Sequence, residues 1–175
     1  TATGTKLSEV PIVGAGLIFN LATDWVTGTV YASDGAASAN IYTVDVNTGT
    51  LTLFGSSPFP GPSGFINGLA VYNGRFFWLD TSGVNNTIVE FDPLTTSTIS
   101  TLVTTNDYIR SLDATVECNL VYFNATVPAN ESIDFTGASV PMPFGCTLAN
   151  FGVQGMSVAP PIGAGEAVQF NRIFH

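Results

Sequence analysis

Residues 30–54, VYASDGAASANIYTVDVNTGTLTLF, can be laid over residues 76–102, FFWLDTSGVNNTIVEFDPLTTSTISTL. Asp34 falls on Asp80 and Asp45 on Asp92, a repeat of roughly 46 residues. Each copy reads strand, polar loop, strand, Asp-led turn, strand. Short runs rich in β-branched and aromatic residues are cut off by Gly, Asn, Asp or Pro before three helical turns could form. Upstream, LATDWVTG (21–28) and LAVYNG (69–74) add one apolar segment to each copy, and each ends in a glycine. SLDATVECNLVYFN (111–124) follows NLATDWVTGTVYAS (20–33) closely enough to open a third, eroded copy. The sequence therefore predicts an all-β chain of antiparallel sheets joined by hairpins.

These units resemble blades of a secreted β-propeller, in which four antiparallel strands carry an aromatic strand ending in Asp and a later Asp-led turn ending in Thr-Gly. The likeness covers residues 16–102 best. It implies a propeller-like ring or an open array of blade-like sheets, with a two-sheet β-sandwich as the alternative. The expected organisation is an N-terminal arm at 1–15, an all-β domain at 16–158 with units near 16–64, 65–108 and 109–158, and a Gly/Pro joint with a C-terminal strand at 159–175. At 175 residues one domain is the natural reading.

Composition restricts partners and compartment. Only 10% of residues are charged, against about 25% in an ordinary soluble domain, so Thr, Ser, Asn and Gly must cover the surface. Thirteen acidic residues face four basic ones, Lys6, Arg75, Arg110 and Arg172, scattered singly. Without a cationic stripe the chain is expected to bind no nucleic acid. No run of eighteen apolar residues occurs, so no membrane insertion is expected. Cys118 and Cys146 are the only cysteines and lack metal-site spacing. A disulfide between them would contribute roughly 3 kcal/mol and imply an oxidising compartment; two separate buried thiols are the other reading. Sequons at Asn85, Asn124 and Asn130 point to N-glycosylation, with Asn124 the least accessible because it follows the apolar run Leu120–Phe123. An extracellular or cell-surface location follows from these features together.

No catalytic apparatus stands out. The only imidazole is His175, the last residue, which argues against a Ser-His-Asp or Cys-His site. Asp24, Asp34, Asp80 and Asp113 could supply paired carboxylates for glycoside hydrolysis, but Asp34 and Asp80 occupy equivalent strand ends and read better as turn caps. Asp45-Val46-Asn47-Thr48-Gly49 resembles the opening of a calcium loop without its distal Glu, so an Asx turn is preferred. No metal and no cofactor are expected. Trp25 and Trp78 are the aromatic residues best placed by type for a carbohydrate platform.

The ends are the most suggestive segments. LSEVPIV (7–13) lies before Gly14-Ala15-Gly16, and Val168, Phe170 and Phe174 alternate with polar residues behind a Gly/Pro joint. Terminal apolar segments on flexible links suit strand exchange, as in donor-strand fibres. The expectation is an extracellular structural subunit of a glycosylated, pilus-like homopolymer; the alternative is a secreted carbohydrate- or protein-binding module.

Overall fold

The computed structural model describes residues 11–13, 17–34, 39–59, 68–115, 118–127 and 129–141. Among them there is no helix, and hence none long and apolar enough to cross a membrane. Sheet 1 is a four-stranded antiparallel meander of β1 (Ile18–Thr23), β2 (Val30–Asp34), β3 (Asn40–Val44) and β4 (Leu51–Ser56). Sheet 2 repeats it with β5 (Leu69–Tyr72), β6 (Arg75–Asp80), β7 (Asn86–Asp92) and β8 (Ser97–Thr105). Sheet 3 has three strands, β9 (Ile109–Ala114), β10 (Asn119–Asn124) and β11 (Ala129–Asp134). The fold is all-β, and its sheets are open. The described residues close no propeller ring, and three stacked sheets replace the two of a sandwich.

Side-chain acceptors at strand ends shape the turns. Asp45 Oδ1 accepts from the Asn47 and Thr48 amides, Asp92 Oδ1 from Leu94, and Asp134 Oδ1 from Thr136 and Ala138. Each is an Asx turn in which a carboxylate replaces a backbone acceptor. The Thr95 hydroxyl on Asp92, the Thr136 hydroxyl on Asp134 and the Asn47 amide on Asp45 are the main donors that hold these three carboxyl groups below the usual Asp range. Asp134-Phe135-Thr136-Gly137 is thus a third copy of the Asp-led turn, in the eroded unit. Between β5 and β6, Asn73 (φ 48°) and Gly74 (φ 73°) both take left-handed backbone, which suits a two-residue hairpin turn.

The first strands of the sheets lie together, β5 touching both β1 and β9, and two core layers separate the sheets. Ala22, Tyr31 and Ile41 of sheet 1 meet Leu69, Val71, Phe76, Trp78, Val89 and Phe91 of sheet 2. Tyr31 and Phe76 pack edge to face, with centroids 5.0 Å apart. On the other side, Ala70, Phe77, Leu79 and Ile88 meet Ile109, Leu112, Leu120, Tyr122 and Ile133 of sheet 3. Sheet 2 is therefore buried on both faces. Arg75 crosses this second layer: its guanidinium forks onto Glu90 at 2.7 and 2.8 Å and lies 4.7 Å from the Phe135 ring centre. The pairing holds the Glu90 carboxyl below its ordinary range. Close backbone contacts seal the outer edges. A side chain at Gly55 would run into the Pro93 carbonyl, and one at Gly137 (φ 88°) into that of Leu102.

Two polar contacts tie the sheets near their first strands. Asp24 is wholly buried; Oδ1 accepts from the amides of Val26 and Asn73, and Oδ2 from Gly74. Burial pushes this carboxyl up, but the three amides pull it down further, leaving it below the usual Asp range. Beside it, the Trp25 indole N–H donates to the Ala114 carbonyl at 3.1 Å, joining sheet 1 to sheet 3.

Candidate assembly surface and modification sites

At the outer edge of sheet 1, Val13 forms a parallel bridge with Thr50. The Val13 amide donates to the Gly49 carbonyl at 3.0 Å, and the Leu51 amide to the Val13 carbonyl at 3.2 Å. Ile12 and Val13 are exposed there. At this end of β4, Val13 thus takes up backbone groups that an edge strand otherwise leaves unpaired. At the edge of sheet 3, Ser139 bridges Ile133 in a similar way, antiparallel. The proposed C-terminal strand lies outside the described residues.

The face of sheet 1 turned away from sheet 2 is the second element of this surface. Register places Leu21, Ala32, Tyr42 and Leu53 side by side on it, followed by Thr23, Val30, Val44 and Leu51. Leu21 is 53% and Leu53 63% exposed. Asp34 belongs to the same face, buried, with its carboxylate accepting from the Asn40 amide, the Asn40 side chain and the Tyr42 hydroxyl. This face went unrecognised in the sequence, although the alternation of Leu51 and Leu53 with Thr50 and Thr52 signals it.

The aromatic candidates do not form a platform. Trp78 is 0% exposed, enclosed between sheets 1 and 2 with Phe91 edge-on at 6.3 Å, and presents no face to a sugar. Trp25 is half-buried and serves as the strut to Ala114. The two indoles sit in different surroundings, Trp78 between sheets 1 and 2 and Trp25 against the Ala114 carbonyl.

The sequons separate. Asn85 is exposed in the loop between β6 and β7. Asn124 is corrected: it is buried, its Nδ2 donating at 3.0 Å to both Asp107 Oδ2 and Glu131 Oε1, while its Oδ1 accepts from the Thr126 and Val127 amides. An amide nitrogen with both hydrogens engaged in a buried network has no room for a glycan. Tyr122 completes the network through Glu131 Oε2 at 2.6 Å, and burial together with that carboxylate raises its hydroxyl pKa. Asn130 pairs with Phe123 through the backbone of β11, and its side chain lies outside the described part.

Cys118 is exposed, at φ 65°, with its thiol 2.7 Å from the Tyr72 hydroxyl. Cys146 lies outside the described residues. Among the described residues, no group of three His, Cys, Asp or Glu side chains is arranged to hold a metal ion. The calcium-like segment at Asp45 is an Asx turn whose Gly49 closes it at φ 73°.

No family model matches this chain, and no curated protein matches it.

Proposed function

We propose that the chain is an extracellular structural subunit that assembles with copies of itself by lending its N-terminal arm to a neighbour's sheet 1. The observation that supports this reading is the bridge of Val13 onto Thr50. The two hydrogen bonds made there within one chain are equally available to the arm of another, because they involve only backbone groups. The reading also includes glycan on the exposed Asn85 and a Cys118–Cys146 bridge, which with the low charge suit a secreted surface.

Removing residues 1–13 tests the arm. The truncated chain is expected to keep its far-ultraviolet circular dichroism and to lose its oligomers in light scattering; an unchanged oligomer would mean that the arm is not the connector. Peptide mapping of native material is expected to place sugar on Asn85 and none on Asn124. Intact mass before and after reduction reads the cysteines. Sugar on Asn124 would contradict the buried network, whereas two free thiols and an unmodified mass would remove the extracellular assignment.

A further inference from the structure

The front of each of the first two sheets is covered by the next sheet along the chain. Ala22, Tyr31 and Ile41 on the front of sheet 1 meet the back of sheet 2, and Ala70, Phe77 and Leu79 on the front of sheet 2 meet the back of sheet 3. Leu112, Ala114, Leu120, Tyr122 and Ile133 make up that back. Alternation along β9, β10 and β11 therefore turns Ser111, Asp113, Val121, Phe123 and Ser132 to the front of sheet 3. All five are buried, between 1% and 7% exposed. Among the described residues no further sheet follows to cover them.

We propose that the front of sheet 3 is the seat of the chain's own C-terminal segment, residues 142–175. The segment then continues the rule that each front is covered by what comes next in the chain. This is independent of arm exchange at sheet 1, and it assigns the C-terminal segment to its own chain and not to a neighbour.

The path of the chain favours this occupant. Beyond the Asp134 turn, the Asp134 amide donates to the Ala138 carbonyl and the Val140 amide to the Ser132 carbonyl, both at 2.9 Å, so residues 138–140 run antiparallel along β11. Pro141 thus leads residues 142–175 away from the edge of sheet 3 itself. The other stretches begin elsewhere. Residues 60–67 join Phe59, packed on the core between sheets 1 and 2, to Gly68, whose neighbour is Leu112 on the back of sheet 3. Residues 1–10 lead to Val13 at the outer edge of sheet 1. The short stretches 14–16 and 35–38 start and end at sheet 1, and 116–117 and 128 lie in the turns of sheet 3.

The chemistry of the segment suits the face. Residues 142–165 hold Met142, Phe144, Leu148, Phe151, Val153 and Met156 and no charged side chain, so laying them on Val121 and Phe123 buries no unpaired ion. The Ser111 and Ser132 hydroxyls are buried on this front without a hydrogen-bond partner. That is the condition expected beneath apolar side chains, which exclude water without replacing its hydrogen bonds.

A photo-reactive diazirine side chain in place of Val121, in the full chain, tests the proposal. Irradiation and peptide mapping are expected to join residue 121 to a residue within 142–175, with the product running at the mass of one chain on a denaturing gel. Cross-links to residues 1–10 or 60–67, or between two chains, overturn the inference. Carbene footprinting of the unmodified chain gives a second reading that needs no substitution at a buried position. Val121, Phe123 and several apolar residues of 142–156 should take up roughly tenfold less label than Leu53, which is 63% exposed. Labelling of Val121 and Phe123, or of every apolar residue in 142–156, to the level of Leu53 overturns the inference as well.

Discussion

Replacing Trp78→Ala is expected to destabilise the protein by about 3–5 kcal/mol in chemical denaturation, whereas Trp78→Phe should cost less than half as much. Trp78 is among the largest fully buried side chains, and it fills the layer between sheets 1 and 2. Truncation to Ala removes the ring and leaves a cavity that two rigid sheets cannot close. Phe keeps most of the aromatic contact with Phe91. It also removes the indole N–H, which is buried without an acceptor, so the lost volume is partly offset by relief of an unmade hydrogen bond. Equal losses from the two substitutions would show that the indole N–H has a partner.

The second large effect is expected at Asp24. Asp24→Ala should cost about 2–3 kcal/mol at pH 7, because it removes a charged acceptor serving three backbone amides on two sheets. The effect carries a pH signature. The folded-state carboxyl lies below its ordinary value, so its contribution is complete above the unfolded-state pKa, near 4. That contribution is lost as pH falls through the lower folded value. The gap between wild type and Asp24→Ala in urea midpoints should therefore be full at pH 6–7 and shrink toward pH 3. A gap independent of pH would mean that the variant fails through packing and not through the lost carboxylate.

Much of the architecture was legible because turns and strands repeat together. Asp34 and Asp80 end equivalent strands, and Asp45 and Asp92 open equivalent turns. The third turn at Asp134 was missed because the unit before it is shorter and its β11, ANESID, has little apolar pattern. The burial of sheet 2 had a signal that alternation obscured. Phe76-Phe77-Trp78-Leu79 is a continuous apolar run, as expected of a strand covered on both faces, and that run marks Trp78 as core and not as a sugar platform. Asn124 was similarly recoverable. It ends β10 where Asp34 ends β2 and Asp80 ends β6, so a side-chain acceptor was required there whatever sequon happened to surround it.

The sheet-to-sheet contacts were less legible because they join residues far apart in the chain. Trp25 reaches Ala114, and Asp24 reaches the Asn73-Gly74 turn. Neither spacing has a local pattern, and each becomes visible only once the first strands are brought side by side.

The meander order of the sheets also governs how the chain can acquire its structure during synthesis. Every described strand of a sheet pairs with its immediate predecessor or successor in the chain, and no strand crosses to another sheet. The described strands of each sheet can therefore pair as they emerge, with short loop closures. Sheet 1 appears first but has only the back of sheet 2 to bury its Tyr31 side. Until residue 105 has left the ribosome, the nascent chain exposes apolar surface on both sides of one sheet, and this interval is when it most needs protection from premature association.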